Sequence, residues 1–378
     1  MNMDPQMRHR TVTVEKVRPK RLSRKQKKTK ILIAGSAILA IIIVILTISA
    51  ACSSDSSEDS RRAGLRFFWS KINGGEDDGE GKKDVLAKYT EDSATLSDEF
   101  SFTNGVLIDI ASNTVLASME ADECIFPASL TKVMTLIVAV ESCPDLEGTF
   151  TMTADILEPL ILENASVAEF AVGEEVTVRD MLYGLILPSG ADAAIGLATY
   201  IAGSEDAFVE LMNKKAEEMG LGYTHFMNCS GLHHDEHYST CREMAEILRY
   251  AMENETMREV LTTYQYTTSS TPEHPEGIEL TSTMFSRMYG DEPENAFIIA
   301  GKTGYTLEAH HCLASFAVKC EEGESEDAIY SRKGDYILVT VGSPTKWGAV
   351  FDAIDIYTSA STGKGISDGV IGRLTNKY

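Results

Sequence analysis

Ser129 and Lys132 stand three residues apart in PASLTKVMTLIVAV, residues 127–140, where Lys132 is the one charged residue in an otherwise uncharged and largely apolar run. On a helix, positions i and i+3 share a face. Burial disfavours an ammonium and lowers a lysine pKa from about 10.4 towards 7–8, where the amine can take a proton from a hydroxyl. Ser129 follows Pro127 in the first turn, where the helix dipole and free N–H groups favour negative charge. A serine nucleophile with a lysine base would perform acyl transfer. The plainer reading is a lysine that reaches water along its own stem.

Two further stretches bear on that choice. Lys302-Thr303-Gly304 follows the apolar FIIAG. A glycine there admits close approach of a ligand or another backbone, and the lysine and threonine would hold an anion. In LILPSGADAAIGLA, Ser189 follows Pro188 at a break between two helical runs. From such a break a side chain projects into a cleft, although a serine there also reads as a helix cap. A third cluster, CSGLHHDEHYSTC, places Cys229, His233, His234, His237 and Cys241 within one short stretch. Zinc accepts both ligand types, but neither C-x-x-C nor H-E-x-x-H is present. His310-His311 reads as a solvated or cleft-lining pair. With no Gly-rich phosphate loop, the sequence calls for no metal and no cofactor.

Several elements must position these residues. GVLIDI and TVLASME flank Ser112-Asn113 as a hairpin. Thr177-x-x-Asp180 and Thr240-x-x-Glu243 read as capping boxes opening helices, and Ser204 and Gly220 bracket another. The pattern then switches to strands in FIIAGKTG, CLASFAVKC and DYILVTVGS, before a last helix, WGAVFDAIDIYTSA. This order predicts an α/β fold. An antiparallel sheet carries helices on both faces and a mainly helical lobe beside it, with a sheet edge built from both chain ends. The site is expected between sheet and lobe.

The remaining sequence places the body relative to a membrane. Residues 31–51 form an uncharged apolar run of sufficient length to span a bilayer. Residues 1–30 carry +9, leaving −32 on the rest of a chain whose net charge is −23. By the positive-inside rule the basic segment is cytoplasmic and all that follows residue 52 lies outside. Cys52 follows SAA, a poor fit to a lipid-attachment site. Residues 52–84 are an acidic Ser/Gly-rich linker, and the catalytic domain is expected over 85–375. The acidic body argues against nucleic-acid binding. Six further cysteines permit disulfides without fixing a pairing. Cys312 and Cys320 lie too far apart along one straight strand to bond each other.

In this order, S-x-x-K, a central serine motif and K-T-G resemble the serine D-alanyl-D-alanine carboxypeptidases, the low-molecular-mass penicillin-binding proteins. LIDIASNTVLASMEADECIFPASLTKVMT, VTVRDMLYGLILPSGADAA, FMNCSGLHHDEHYST and AGKTGYTLEAHHCLASFAV all look like family blocks, and the resemblance runs from about Gly105 to about Ala360. It implies that Ser129 attacks the carbonyl between two terminal D-alanines of a peptidoglycan stem and that Lys132 takes its proton. Ser189 relays a proton to the leaving amine. Lys302, Thr303, Gly304 and Tyr305 form the substrate-binding strand, with the N–H groups of Ser129 and Tyr305 as oxyanion hole. β-Lactams would acylate Ser129 as inhibitors. The resemblance also accounts for the His/Cys stretch without a metal.

Three features depart from the family pattern. Ala191, followed by Asp192, stands where the family has the asparagine of S-x-N. GSPTKWG lacks the arginine that relatives place after the last strand, leaving Lys346 as a weak stand-in. Strands and a helix are expected to use the 74 residues after Gly304, so a β-rich C-terminal domain is not expected. A class A β-lactamase would need S-D-N and E-x-x-L-N, and both are missing. The non-enzymatic alternative is an impaired sensor or scaffold that binds wall peptides or penicillin, and Ala191 is the feature in its favour.

Overall fold

A computed structural model describes residues 85–374, except 144, 289, 321–323, 326–327, 330–331 and 368. The basic segment, the expected span at 31–51, Cys52 and the linker lie outside these residues. Among the described residues no helix is long and apolar enough to cross a membrane.

The chain enters through β1 (Ala94–Leu96) and the hairpin β2 (Asn104–Asp109) and β3 (Thr114–Met119). The hairpin closes where Asp109 Oδ1 accepts from Ser112 N at 2.8 Å, and Asn113 takes a left-handed φ of 52°. Asparagine tolerates that region better than most residues. A 3-10 turn (Ala128–Thr131) leads into α1 (Lys132–Ser142). Val133, Met134, Leu136, Ile137, Val138 and Ala139 are all buried. A helix that is apolar all round belongs inside a protein, and each such large side chain contributes about 1.5–3 kcal/mol on burial.

The helical lobe follows. The ribbon of β4 (Thr149–Thr151) and β5 (Glu175–Thr177) brackets α2 (Ala154–Leu162). Then come α3 (Val178–Ile186), α4 (Ala191–Ala202), α5 (Glu205–Glu218), α6 (Cys241–Glu253) and α7 (Glu255–Thr262). The expected caps are formed. Thr177, Ser204 and Thr240 accept from the backbone N–H groups of Asp180, Ala207 and Glu243. Gly220, just past α5, has φ 75°. A second ribbon, β6 (Gln265–Thr267) and β7 (Glu279–Thr281), and the short α8 (Phe285–Met288) lead back to the sheet. These short pieces were not legible in the sequence: three residues are too few to show a period.

The chain finishes with β8 (Ala296–Thr306), β9 (His310–Lys319), β10 (Tyr336–Ser343), α9 (Lys346–Thr362), β11 (Ile366–Ser367) and β12 (Val370–Ile371). The sheet order is β11-β12-β1-β3-β2-β10-β9-β8. From β3 to β8 it is antiparallel as expected. At the far edge β1 runs parallel to both β3 and β12, so the two ends of the domain meet there. Side-chain alternation divides the core. Leu107, Leu313, Ala317 and Leu338 face α9, while Val106, Ile108, Ala314, Phe316, Ile337 and Val339 face the helical layer. No disulfide joins the six cysteines of the described part, and Cys312 and Cys320 lie on or just past β9.

Candidate active site

Strand β8 is the edge of the sheet, so half its backbone groups point away from β9, towards the turn carrying Ser129. The approach is close: a Cβ on Gly304 would lie 3.0 Å from Ser129 N and 3.2 Å from the Ala128 Cβ. From another side, a Cβ on Gly231 would lie 2.0 Å from Ala128 O. Gly231 also has φ 81°, so no other residue fits there without backbone movement. Ala128 itself is held at φ 48°. Two glycines thus clamp the Ala128–Ser129 peptide.

Lys132 is 2% exposed. Its Nζ lies 3.0 Å from Ser129 Oγ and donates to Ser230 O at 2.5 Å. Burial pulls its pKa down from 10.5 to about 8, while Cys229, Asp192 and Glu205 act in the opposite direction. Lys302 is equally buried. Burial, then the charges of Lys132 and Arg287, hold its pKa well below the ordinary lysine range. Its Nζ donates to Thr303 O at 2.9 Å, and Thr303 Oγ1 pairs with Thr283 Oγ1 at 2.7 Å. Neither lysine forms an ion pair among the described residues.

Ser189 sits at the break between α3 and α4 with φ 68°. It is 6% exposed, and its Oγ has no hydrogen-bond partner among the described residues. Oγ therefore bonds to neither Ser129 nor Lys132. The break joins the K-T-G strand indirectly, as Leu187 O accepts from Thr283 N at 3.0 Å. Ala191 is buried, with its N–H given to Ser166 O. The carboxylate of Asp192 accepts from Ala168 N at 2.8 and 3.0 Å and from Ala193 N at 2.9 Å. It faces the chain before α3 and does not stand in for the absent amide.

Tyr305 is exposed, and its ring stacks on His311 at 4.5 Å. Lys346, the stand-in expected from the sequence, is exposed with Nζ 4.7 Å from the Trp347 ring. No sequence pattern pointed to Arg287 on α8. Three residues earlier, Met284 covers Gly301, where a Cβ would meet its Sδ at 2.4 Å. Arg287 bears on both Lys302 and His311. Its own pKa is lowered by burial alone, and it has no ion pair among the described residues.

The His/Cys stretch is distributed to other tasks. His237 Nδ1 accepts from Met227 N at 3.2 Å, so Nε2 carries the proton given to Thr131 Oγ1 at 2.7 Å. Burial drops the pKa of His237 to about 3, keeping it neutral. His233 packs edge-on against Phe126, His234 Nδ1 accepts from Glu236 N, and Cys229 Sγ donates to Glu205 Oε1 at 3.1 Å. Among the described residues no three such side chains are arranged to hold a metal ion. Sequence reasoning also missed the Ser230 carbonyl and Thr283. A main-chain acceptor has no residue-type signature, and Thr283 lies among undistinguished polar residues.

A buried amine beside a hydroxyl at the start of a helix, facing an edge strand that carries a second buried lysine, can activate the hydroxyl and receive an anionic acyl donor. Known proteins carry the same arrangement of sequence and fold. A family model described as D-alanyl-D-alanine carboxypeptidase matches residues 91–323. D-alanyl-D-alanine carboxypeptidase DacF of Bacillus subtilis is 33% identical over 218 residues, covering 57% of this chain and 54% of DacF. The D-alanyl-D-alanine carboxypeptidase of Streptomyces sp. strain K15 is 32% identical over 237 residues, 61% of this chain and 81% of that protein. The chain thus spans about half the length of DacF, and of DacC from Escherichia coli only 36%. Among solved structures, a variant of the Streptomyces K15 DD-transpeptidase superposes with a TM-score of 0.61 at 29% identity, covering 70% of this chain and all of that one. Penicillin binding protein 5 of Haemophilus influenzae shares the fold, with a TM-score of 0.57 at 24% identity. With its family model matched across most of the described residues, this chain belongs to the D-alanyl-D-alanine carboxypeptidase family.

Proposed function

We propose that this protein is a serine-type D-alanyl-D-alanine carboxypeptidase that removes the terminal D-alanine from peptidoglycan stem peptides through an acyl-enzyme on Ser129. The observation that carries the reading is the buried Lys132 Nζ at 3.0 Å from Ser129 Oγ. Neutral Lys132 takes the hydroxyl proton as Oγ bonds to the carbonyl carbon of the penultimate D-alanine. The N–H groups of Ser129 and Tyr305 receive the oxyanion. The C–N bond to the last D-alanine then breaks, with Ser189 passing a proton to the departing amine. Water hydrolyses the ester and frees Ser129. The substrate's terminal carboxylate is met by Lys302, Thr303 and Arg287, the last supplying the cation that GSPTKWG lacks. β-Lactams, which mimic the D-Ala-D-Ala end, block Ser129 by the same acylation. The apolar run at 31–51 anchors the chain, with the catalytic part outside the membrane.

Incubating the protein with a D-Ala-D-Ala pentapeptide should release one alanine by mass spectrometry, and Ser129→Ala should leave the peptide intact. An unchanged pentapeptide combined with a penicillin label on Ser129 would favour the binding-only alternative raised by Ala191.

A further inference from the structure

Among the described residues no side-chain amide hydrogen-bonds Lys132; position 191 is alanine, and Asp192 is turned to Ala168. Lys132 is held instead by main chain. A carbonyl only accepts, so Ser230 O takes an N–H from Nζ at 2.5 Å. This occupies one side of the amine and directs the lone pair of its neutral form towards Ser129 Oγ. The aim depends on where the turn 228–231 is held.

That turn is tied to other elements at Cys229 and braced from within by Asn228. Glu205 Oε1 accepts from both Cys229 N, at 3.0 Å, and Cys229 Sγ, at 3.1 Å. Thr135, three residues beyond Lys132 on α1, donates from Oγ1 to Cys229 O at 2.6 Å. Asn228 Oδ1 accepts from Gly231 N at 2.7 Å, and its Nδ2 donates to Leu232 O at 2.9 Å. The helix bearing the amine and the turn receiving its N–H are therefore cross-linked. An acid in a helix's first turn ordinarily complements the dipole of its own helix. Glu205 instead reaches across 24 positions of sequence to the residue preceding Ser230.

We propose that Glu205 is a positioning residue: through Cys229 it aims the Ser230 carbonyl, so that Lys132 presents its lone pair to Ser129 in the place left open by Ala191. This deepens the reading of Ser129 and Lys132 as nucleophile and base and rests on it. The charged and titratable groups bearing on Lys132 are Cys229, Asp192 and Glu205, with Lys302 opposite on β8 and His237 kept neutral by burial. Burial keeps the Cys229 thiol protonated. The carboxylate of Glu205 therefore also favours the ammonium form of Lys132.

The test is the second-order rate of Ser129 acylation by a fluorescent penicillin, followed against pH for the full chain and three variants. Glu205→Ala should lower the alkaline plateau about tenfold, the effect of losing roughly one hydrogen bond's worth of alignment. Glu205→Gln keeps an acceptor for Cys229 N and should recover most of the plateau, but its acid limb should move to lower pH because a negative charge is gone. Thr135→Val should lower the plateau without moving the limb. Should Glu205→Ala fail to fold, the limb of Glu205→Gln and the plateau of Thr135→Val decide. A wild-type plateau in Glu205→Ala, or identical profiles for the Ala and Gln variants, would overturn the assignment. A wild-type protein that takes no label at all removes the Ser129–Lys132 reading itself.

Discussion

Two regions of this protein bury charge, and they do so in opposite ways. On the α9 face, Asp352 is fully buried and fully matched. It accepts from Ser101 N at 2.7 Å and Ser101 Oγ at 2.6 Å and pairs with Arg373 near the end of the described chain. That network holds the segment after β1 and the segment after β12 to one helix. On the other side of the sheet, Lys132 and Lys302 are equally buried, yet among the described residues no carboxylate is within ion-pair distance of either. Their partners are a hydroxyl and two carbonyls. A matched buried ion holds structure together; an unmatched one is destabilising and is retained where its protonation state does chemistry.

The contrast can be broken at either end. The largest effect is expected at the unmatched end. Lys132→Met should cut Ser129 acylation by about 10³-fold, the scale of a lost general base, and at pH 7 it should raise stability by up to about 3 kcal/mol, because a buried charge is replaced by an apolar group of similar volume. Denaturant melts beside penicillin labelling read both quantities. A variant that is both inactive and less stable than wild type would deny the contrast.

At the matched end, Asp352→Ala should do the reverse. Stability should fall by about 3 kcal/mol, since Arg373 and Ser101 N lose their common acceptor. Acylation of the protein that remains folded should stay within about twofold of wild type. Urea midpoints and labelling rates measured on one preparation separate these outcomes. A smaller change is expected for Arg287→Ala, which should raise KM for a D-Ala-D-Ala peptide by about tenfold and leave kcat less affected, as loss of one charge-assisted contact to the carboxylate predicts. Steady-state kinetics would show it, and an unaltered KM would return the carboxylate to Lys302 and Thr303.

A last prediction concerns pH and stability. The folded-state pKa of Lys132, about 8, lies below the ordinary value of 10.5. Between these limits the unfolded chain binds more protons than the folded one, so the Lys132 contribution to stability rises as pH climbs from about 8 to about 10.5. Melts across that window should show the rise in wild type and a flatter curve in Lys132→Met.

Much of the site is legible in the amino-acid sequence. Ser129, Lys132 and Lys302 stand out because their types conflict with their apolar surroundings, and each is where the fold brings sheet and lobe together. Thr177, Ser204 and Thr240 are legible because capping is a local event decided by three or four residues. What stays hidden is set by tertiary contact. The Ser230 carbonyl carries no side-chain signal. Glu205 looks like any acid in a first turn, and Arg287 lies on a helix of four residues, too short to announce itself. The parallel pairing of β1 with β12 joins strands of three and two residues from opposite ends of the domain, a non-local contact without periodicity. Gly231 promises only a turn. Its close approach to Ala128 O is set only once both segments are placed.

Acylation of Ser129 by a labelled penicillin, measured between about pH 5 and pH 9, tests the role of Lys132 most directly. A base titrating near 8 predicts a rate that climbs close to tenfold per pH unit, bends near pH 8 and levels above it, with all label on Ser129. A rate indifferent to pH across that range, or label carried on another residue, would contradict a neutral Lys132 as the base.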